Sequence, residues 1–214
     1  MCGRFTLDTT ANEIARQFEV EINEFISPQY NIAPSQSILA IKKDETSKRS
    51  LEKMKWGLVP SWVKSLDSWK SNLINARVET VAEKPSFRSA FKHRPCLIPV
   101  SGFYEWSKDK QPYYFQQKDS KLFALAGLWE SWRNDDELVT CTIITTKANT
   151  EAAKIHHRMP VIIQPKDYDS WLGELDDRKQ LLDTLPEVDL ELYAVSKKVN
   201  SPKNNTPECI EPIS

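Results

Sequence analysis

The second residue of the chain is a cysteine whose position would give it unusual chemistry. Methionine aminopeptidase generally removes Met1 when the next side chain is small, and the chain begins Met1-Cys2-Gly3. Removal would leave Cys2 with a free α-amine and a thiol on adjacent carbons. In model compounds these groups titrate near pH values of about 8 and about 8.5, so neutral amine and some thiolate coexist at physiological pH. Such a 1,2-aminothiol can condense with an aldehyde to an imine and close to a thiazolidine. It can also act as an acyl-transfer nucleophile with its own amine as base.

Polar side chains interrupt three apolar or aromatic segments. Asn75 and Arg77 are two residues apart, so on a strand they would share a face and could hold a carbonyl and a phosphate. Glu105 lies between two aromatic residues, where partial desolvation would raise its pKa towards a useful acid–base value. His156 and His157 directly precede an apolar run, where an imidazole could transfer protons near neutral pH. Ordinary interpretations stay open for each segment: a turn asparagine with a surface arginine, an exposed strand glutamate, and a surface histidine pair.

The charge distribution is uneven, although the net charge is only −1. Residues 42–94 hold 13 Lys and Arg against 6 Asp and Glu, whereas residues 166–191 hold 3 against 9. The basic region also contains Trp56, Trp62 and Trp69. Cations around aromatic rings suit single-stranded nucleic acid, because phosphates pair with the cations and bases stack on the rings. Core packing of the tryptophans and two merely solvated surfaces are the structural alternatives.

The cysteines form no recognisable metal motif. None of Cys2, Cys96, Cys141 and Cys209 lies in a CxxC pair, and no Cys/His cluster has zinc-finger spacing. Cys96 and Cys141 lie in apolar runs and are expected in the core, whereas Cys209 lies in a polar tail and looks incidental. No run approaches the roughly 18 apolar residues of a membrane helix, and the N-terminus lacks a signal-peptide layout. We therefore expect a reduced, cytoplasmic protein with no metal and no cofactor.

The elements that would position these residues indicate a single domain over residues 1–214. Thr10-Ala11-Asn12-Glu13 predicts a capping box and a short amphipathic helix from about residue 10 to 18. Short β-branched or aromatic runs predict strands at 37–42, 95–100, 112–116, 123–132, 138–146 and 190–195. Helical patches are expected at 148–155, 166–173 and 176–184, and a polar tail from residue 200. The pattern favours an α+β fold, with a curved, mostly antiparallel β-sheet or barrel-like core flanked by short helices.

Eight ordered segments together resemble one family. They are Met1–Phe5, Tyr30–Pro34, Trp56–Pro60, Ile74–Thr80, Arg94–Pro99, Gly102–Trp106, Ala126–Trp129 and His156–Pro160. In order and spacing they resemble the SRAP family, named for SOS-response-associated peptidase, which includes the vertebrate 5-hydroxymethylcytosine-binding, ES-cell-specific protein. The resemblance extends from Cys2 to about Asn200.

The resemblance implies a sensor that shields abasic sites in single-stranded DNA by covalent cross-linking through a thiazolidine on Cys2. It implies that Asn75 holds the N-terminus or the sugar oxygen, and that Glu105 is the acid–base group beside the amine. His156 would assist sugar ring opening and reversal of the link. The expected DNA contacts are Arg4, Arg77, Arg88, Arg94, Trp56 and Trp62. The implied partner is single-stranded DNA with an abasic site. We expect a monomer that acts in the cytoplasm, at the nucleoid if the source is bacterial. We expect no membrane or metal partner.

Two rival functions remain open. Glutamine amidotransferase domains also begin Met-Cys-Gly, so Cys2 could attack an amide as an N-terminal nucleophile, although five glycines are few for oxyanion and substrate loops. The SRAP name also records a proposed peptidase activity that releases residues ahead of Cys2; here only Met1 precedes it. A non-covalent module for single-stranded or modified DNA is the second rival, and it predicts binding that does not depend on Cys2.

Overall fold

The computed structural model describes residues 2–133 and 137–213, and within these residues thirteen strands form two sheets. The strands are β1 (Phe5–Leu7), β2 (Gln29–Ile32), β3 (Ser37–Lys43), β4 (Arg49–Trp56), β5 (Asn75–Arg77), β6 (Pro95–Val100), β7 (Gly102–Trp106), β8 (Pro112–Gln117), β9 (Phe123–Arg133), β10 (Glu137–Lys147), β11 (Arg158–Pro160), β12 (Ile162–Ile163) and β13 (Leu190–Ala194). The helices are α1 (Ala11–Phe18), α2 (Arg88–His93), α3 (Thr150–Ala153), α4 (Tyr168–Leu172) and α5 (Leu175–Asp183). Short 3-10 turns lie at Pro165–Asp167, Lys197–Asn200 and Pro207–Cys209.

Five strands of the larger sheet close into a barrel. Pairing runs from β10 to β4, β3, β6 and β9, and β9 pairs again with β10. The β4–β10 pair is parallel and the other four pairs are antiparallel. The long strand β10 continues beyond the barrel, where it binds β5 on one edge and β11 on the other. These two short strands carry Asn75 and the residues just after His156.

The second sheet has the strand order β13-β8-β7-β1-β2 and is antiparallel throughout. Two of its inner strands position candidate site residues: β1 follows Cys2, and β7 contains Glu105. One continuous core joins this sheet to the barrel, since Phe5 packs on Trp56 with ring centroids 5.1 Å apart. Each packed side chain of this size contributes about 1.5–3 kcal/mol to folding. The N-terminal segment is therefore fixed by core packing rather than left at the surface.

Most predicted elements are confirmed. The capping box forms: the Thr10 hydroxyl accepts the N–H of Glu13, whose carboxylate accepts the N–H of Thr10. Ile14 and Phe18 then face the core from α1. The strands predicted from residues 37, 95, 112, 123, 138 and 190 correspond to β3, β6, β8, β9, β10 and β13. The α+β class and the barrel-like core are confirmed, whereas the patch at 148–155 is helical only over α3.

Several elements escaped sequence prediction because they are short or locally uncapped. Strands β1, β5 and β11 have three residues each, too few for a periodic signal. Helix α2 has no side-chain hydrogen bond at its N-cap, Phe87. The expectation that Cys209 is incidental is wrong, because its side chain is fully buried beneath the C-terminal segment. That segment is held by the Asn31 amide, which donates to the carbonyls of Ser201 and Asn204.

No helix in the described part of the chain is both long and apolar enough to cross a membrane. Within residues 2–133 and 137–213, no group of three or more His, Cys, Asp or Glu side chains is arranged to hold a metal ion.

Candidate active site around Cys2

Cys2 lies in the interior, immediately before β1, and its side chain is completely buried. Strand β1 pairs with both β2 and β7, so the backbone around Cys2 has little freedom. Burial raises the pKa of the Cys2 thiol far above its usual range, and the negative charge of Glu105 adds to this effect. The sulfur is therefore protonated at neutral pH, and it reacts well only when a neighbouring base removes its proton.

Asn75 holds the backbone of Cys2. Its side-chain Nδ2 donates a hydrogen bond of 2.8 Å to the carbonyl oxygen of Cys2. Strand β5 carries Asn75 and pairs in parallel with β10, which places Asn75 opposite Ile143. The Asn75 Oδ1 atom is buried and has no hydrogen-bond partner among the described residues. A buried, unsatisfied acceptor beside a reactive residue is available to an incoming N–H or O–H group.

Glu105 supplies a buried carboxyl group to the same region. Only 4% of the residue is exposed, and desolvation by burial raises its pKa. Sequence reasoning was right about the desolvation but wrong about its source. Side chains alternate across a strand, so Tyr104 and Trp106 lie on the opposite face of β7 from Glu105. There Tyr104 packs into a separate cluster with Tyr114 and Cys209.

His156 lies between α3 and β11, with its ring 4.3 Å from that of His157 between centroids. The backbone N–H of Arg158 donates to His156 Nδ1 at 3.0 Å. Desolvation by burial lowers the pKa of His156, so its imidazole is neutral at physiological pH. When His157 is protonated, its charge favours the ionised form of Glu105. Electrostatics and hydrogen bonds thus connect the four predicted catalytic residues in one region.

The predicted DNA-contacting residues fall into different environments. Arg77 is exposed at the end of β5, two residues beyond Asn75. Trp62 is 57% exposed and packs edge-to-face on Trp69. Arg88 is exposed on α2, a helix that packs on β6, β9 and α5. These side chains can reach a ligand without any rearrangement of the protein, and their DNA contacts remain predictions.

The remaining three predicted contacts bond to other parts of the protein, and for the two partly exposed arginines among them, Arg4 and Arg94, DNA contact remains a prediction. Trp56 is fully buried and donates from Nε1 to the carbonyl of Ile74, so the prediction that it stacks on DNA is wrong for this structure. Arg4 donates to Asn31 and to the carbonyl of Val199. Arg94 pairs with the buried carboxylate of Glu130 at 2.7 Å. Sequence composition could not separate these residues from exposed ones, because burial depends on the closed barrel.

A family model described as SOS response associated peptidase (SRAP) matches residues 1–202. The chain belongs to the SRAP family. It is 45% identical over 226 residues to abasic site processing protein YoqW of Bacillus subtilis, with 99% of each chain covered. It is 35% identical to abasic site processing protein HMCES of Pongo abelii, over 87% of this chain and 64% of that protein. A solved structure from Bacteroides thetaiotaomicron covers 100% of both chains with a TM-score of 0.89 and 25% identity.

Two charged residues of this SRAP protein were not predicted as site residues, although both lie in segments that carried the resemblance. Glu79 belongs to the segment of Asn75, and Arg158 to the segment of His156. The two side chains form an ion pair in which Arg158 is buried. The sequence contained one signal for them: an acidic residue lies shortly after Asn75 in the sequence, and a basic residue lies shortly after His156.

Proposed function

We propose that this protein captures abasic sites in single-stranded DNA by forming a thiazolidine with Cys2, as part of a DNA damage response. Two observations support this proposal. The relatives are named as abasic site processing proteins. The observation that carries the proposal is the hydrogen bond from Asn75 to the Cys2 carbonyl, which fixes the N-terminal backbone beside a buried carboxyl group.

The chemistry begins at the amine of Cys2 once Met1 has been removed. An abasic site in its ring-opened form presents an aldehyde, and the neutral amine adds to its carbon to give a carbinolamine. Loss of one water produces an imine. The sulfur of Cys2 then adds to the imine carbon while the thiol proton passes to the nitrogen, which closes the five-membered ring. The adduct is one water lighter than the sum of protein and DNA.

The roles of the neighbouring groups follow from their protonation states. The raised pKa of Glu105 lets its carboxyl group protonate the departing hydroxyl and then accept the thiol proton. Neutral His156 can take a proton from the sugar hydroxyl during ring opening and return it when the link is reversed. The free Oδ1 atom of Asn75 can accept a hydrogen bond from the amine or the sugar.

Ring closure by the sulfur of Cys2 would protect the abasic site better than imine formation alone. An imine at an abasic site promotes β-elimination and strand cleavage, as in a lyase. Addition of the adjacent thiol removes the imine and leaves a stable ring. Since the thiol of Cys2 is protonated until the imine forms, the amine reacts first and the ring closes second.

Exposed cationic and aromatic groups support single-stranded DNA as the partner. Arg77 would bind a phosphate beside the reacting sugar, and Trp62 offers a ring face to an unpaired base. Contacts to a few phosphates would make the affinity fall steeply with salt. We also propose that the protein acts as a monomer. It would act in the compartment that holds the chromosome, which in a bacterium is the cytoplasm.

The test uses purified protein whose N-terminal Cys2 has been verified by intact-protein mass spectrometry. It is incubated with a single-stranded oligonucleotide that bears one abasic site, and with the same oligonucleotide intact. We expect an adduct on denaturing gels that survives heating without borohydride and is absent for Cys2→Ala. Equal non-covalent binding of both oligonucleotides by both proteins, without an adduct, would instead establish a binding module.

The geometry around Cys2 supports peptidase activity less well than it supports capture of an abasic site. A buried thiol whose pKa is strongly raised is a poor nucleophile towards an amide unless a base removes its proton. Glu105 is the available base, but desolvation favours its protonated form. Release of Met1 by the protein itself would appear as loss of Met1 from purified Met1-containing protein, a loss that Cys2→Ala abolishes.

A further inference from the structure

Glu79 and Arg158 form an ion pair near the candidate site, held by two hydrogen bonds between the side chains. Arg158 Nη1 lies 2.5 Å from Glu79 Oε1, and Nη2 lies 3.0 Å from Oε2. Arg158 Nη2 also donates to the carbonyl oxygen of Thr145 at 2.6 Å. The Arg158 side chain is only 7% exposed, whereas the Glu79 side chain is 42% exposed. Such a two-pronged contact fixes both position and orientation of the guanidinium.

This ion pair crosses strand β10. Thr145 of β10 is paired with Arg77 of β5 on one edge and with Pro160 of β11 on the other. Each of these flanking strands has only three residues, so few ladder hydrogen bonds hold it. Glu79 follows β5 and Arg158 begins β11. Their contact therefore ties together the two short segments that carry Asn75 and His156.

The same contact controls the imidazole of His156. The backbone N–H of Arg158 donates to His156 Nδ1 at 3.0 Å. The carbonyl oxygen of Arg158 lies 3.2 Å from the same nitrogen, so the Arg158 backbone contacts Nδ1 whichever ring nitrogen carries the proton. Anchoring the Arg158 side chain fixes the backbone that makes these contacts, and with it the position of the ring. Glu79 thus acts on His156 through Arg158, without touching the ring.

Arg158 is not placed to bind a DNA phosphate. The residue is 6% exposed, and both of its terminal nitrogens already donate to Glu79 or Thr145. A guanidinium that contacts phosphate must present a free edge to the DNA. Its role is therefore internal.

We propose that Glu79 and Arg158 are positioning residues, whose ion pair fixes the imidazole of His156 through the Arg158 backbone and sets its location relative to Asn75 across β10. This inference rests on the proposed cross-linking function. It predicts a defect in the chemical step rather than in DNA binding. A misplacement of about 1 Å in a reacting group lowers rates by up to about a hundredfold.

The experiment compares Glu79→Gln with the matched control Glu19→Gln. Glu19 also pairs with an arginine, Arg49, whose side chain is 11% exposed, and the Glu19 side chain is mostly exposed. Glu79 is the partner to change because its own exposure lets the variant fold, and Glu79→Asp serves as the conservative variant. For each protein we would measure the single-turnover rate of adduct formation, the salt dependence of DNA affinity and the ¹⁵N spectrum of the imidazoles. The chain has three histidines, so His93→Gln and His157→Gln assign the signals of His156.

For Glu79→Gln we expect adduct formation slower by about ten- to a hundredfold, with unchanged salt dependence of binding. We also expect the ¹⁵N signals of His156 to change, because the ring loses its fixed contacts with the Arg158 backbone. Glu79→Asp should recover part of the rate, and Glu19→Gln should match the wild type. A wild-type rate and spectrum in Glu79→Gln would overturn the inference, as would a shallower salt dependence, which would mean a direct phosphate contact. Absence of any adduct in the wild type would refute the proposed function instead. If the wild type forms no adduct, the role of Glu79 is decided by the spectrum alone: an unchanged His156 spectrum in Glu79→Gln would contradict the inference.

Discussion

The amide nitrogen of Asn75 lies 2.8 Å from the carbonyl oxygen of Cys2, a residue 73 positions away in the sequence. This hydrogen bond joins β5 of the larger sheet to the segment that leads into β1 of the second sheet. A free N-terminal amine is normally mobile, whereas the amine of Cys2 would lie next to a peptide group whose carbonyl oxygen is held in place. Reaction with a sugar aldehyde requires such positioning, since the amine and the thiol must reach the same carbon in turn.

Replacement of Asn75 by Ala removes this donor and the buried Oδ1 acceptor. We expect adduct formation slower by about ten- to a hundredfold, because the Cys2 backbone gains freedom that the reaction must then restrict. Single-turnover assays at saturating DNA measure this loss. Asn23→Ala, at an exposed position, is the matched control and should react normally. A defect in Asn75→Ala that excess DNA fully restores would assign the residue to DNA binding instead.

Replacement of Cys2 by Ser tests the order of the two bond-forming steps. The amine remains, so an imine with the abasic site still forms. Closure by the hydroxyl is less favourable than closure by sulfur, so the product should be trapped only when borohydride is added. Denaturing gels with and without reductant distinguish these products. Retention of Met1 should prevent the adduct as completely as loss of the thiol, and a stable adduct from Met1-containing protein would contradict the mechanism.

Replacement of Glu105 by Gln should lower activity and raise stability at neutral pH. Burial raises the pKa of Glu105 above its usual value of 4.5. The folded state therefore keeps the proton better than the unfolded state, and this contribution to stability is lost as pH rises through the folded-state pKa. Glutamine avoids the buried charge, so the variant should melt at a higher temperature than the wild type at pH 7. The difference should disappear below the unfolded pKa. Thermal unfolding at several pH values measures this, and an equal difference at all pH values would contradict it.

The two tryptophans of the 56–62 segment should respond in opposite ways. Trp56 is fully buried, so Trp56→Ala should cost about 3–5 kcal/mol of unfolding free energy. Trp62 is 57% exposed, so Trp62→Ala should change stability by no more than about 0.5 kcal/mol. If Trp62 stacks on a base, its loss should weaken single-stranded DNA binding by about 1–3 kcal/mol. Chemical denaturation and fluorescence titration measure the two quantities, and unchanged DNA affinity would remove Trp62 from the binding surface.

Arg77 should contribute one phosphate contact. Arg77→Gln is expected to reduce the slope of log affinity against log salt by about 1, with little dependence on DNA sequence. The side chain is exposed, so the fold should be unaffected. Arg16→Gln is a suitable control, because Arg16 lies in the last turn of α1. Titrations at several salt concentrations decide the question, and an unchanged slope for Arg77→Gln would exclude a phosphate contact.

Local signals in the sequence were sufficient for much of the architecture. The capping box at Thr10 and Glu13 uses interactions three residues apart, so it could be recognised directly. Strands such as β9 and β10 are long enough to give a clear β-branched and aromatic signal. The barrel closure through the β9–β10 pair could not be derived, because it depends on contacts between strands whose neighbours are set by the whole sheet.

Chemistry that depends on residue type was readable from the sequence alone. The position of Cys2, the amide of Asn75, the carboxyl of Glu105 and the imidazole of His156 were all identified from their types and surroundings, and eight ordered segments indicated the family. The tertiary structure decided which side chains face one another and which face solvent. In the folded protein Trp56 lies in the core, and Tyr104 and Trp106 lie on the opposite face of β7 from Glu105. Glu79 and Arg158 form an ion pair across β10. These outcomes depend on the pleat of strands and on long-range pairing, which place residues far apart in sequence within bonding distance and which no local pattern encodes.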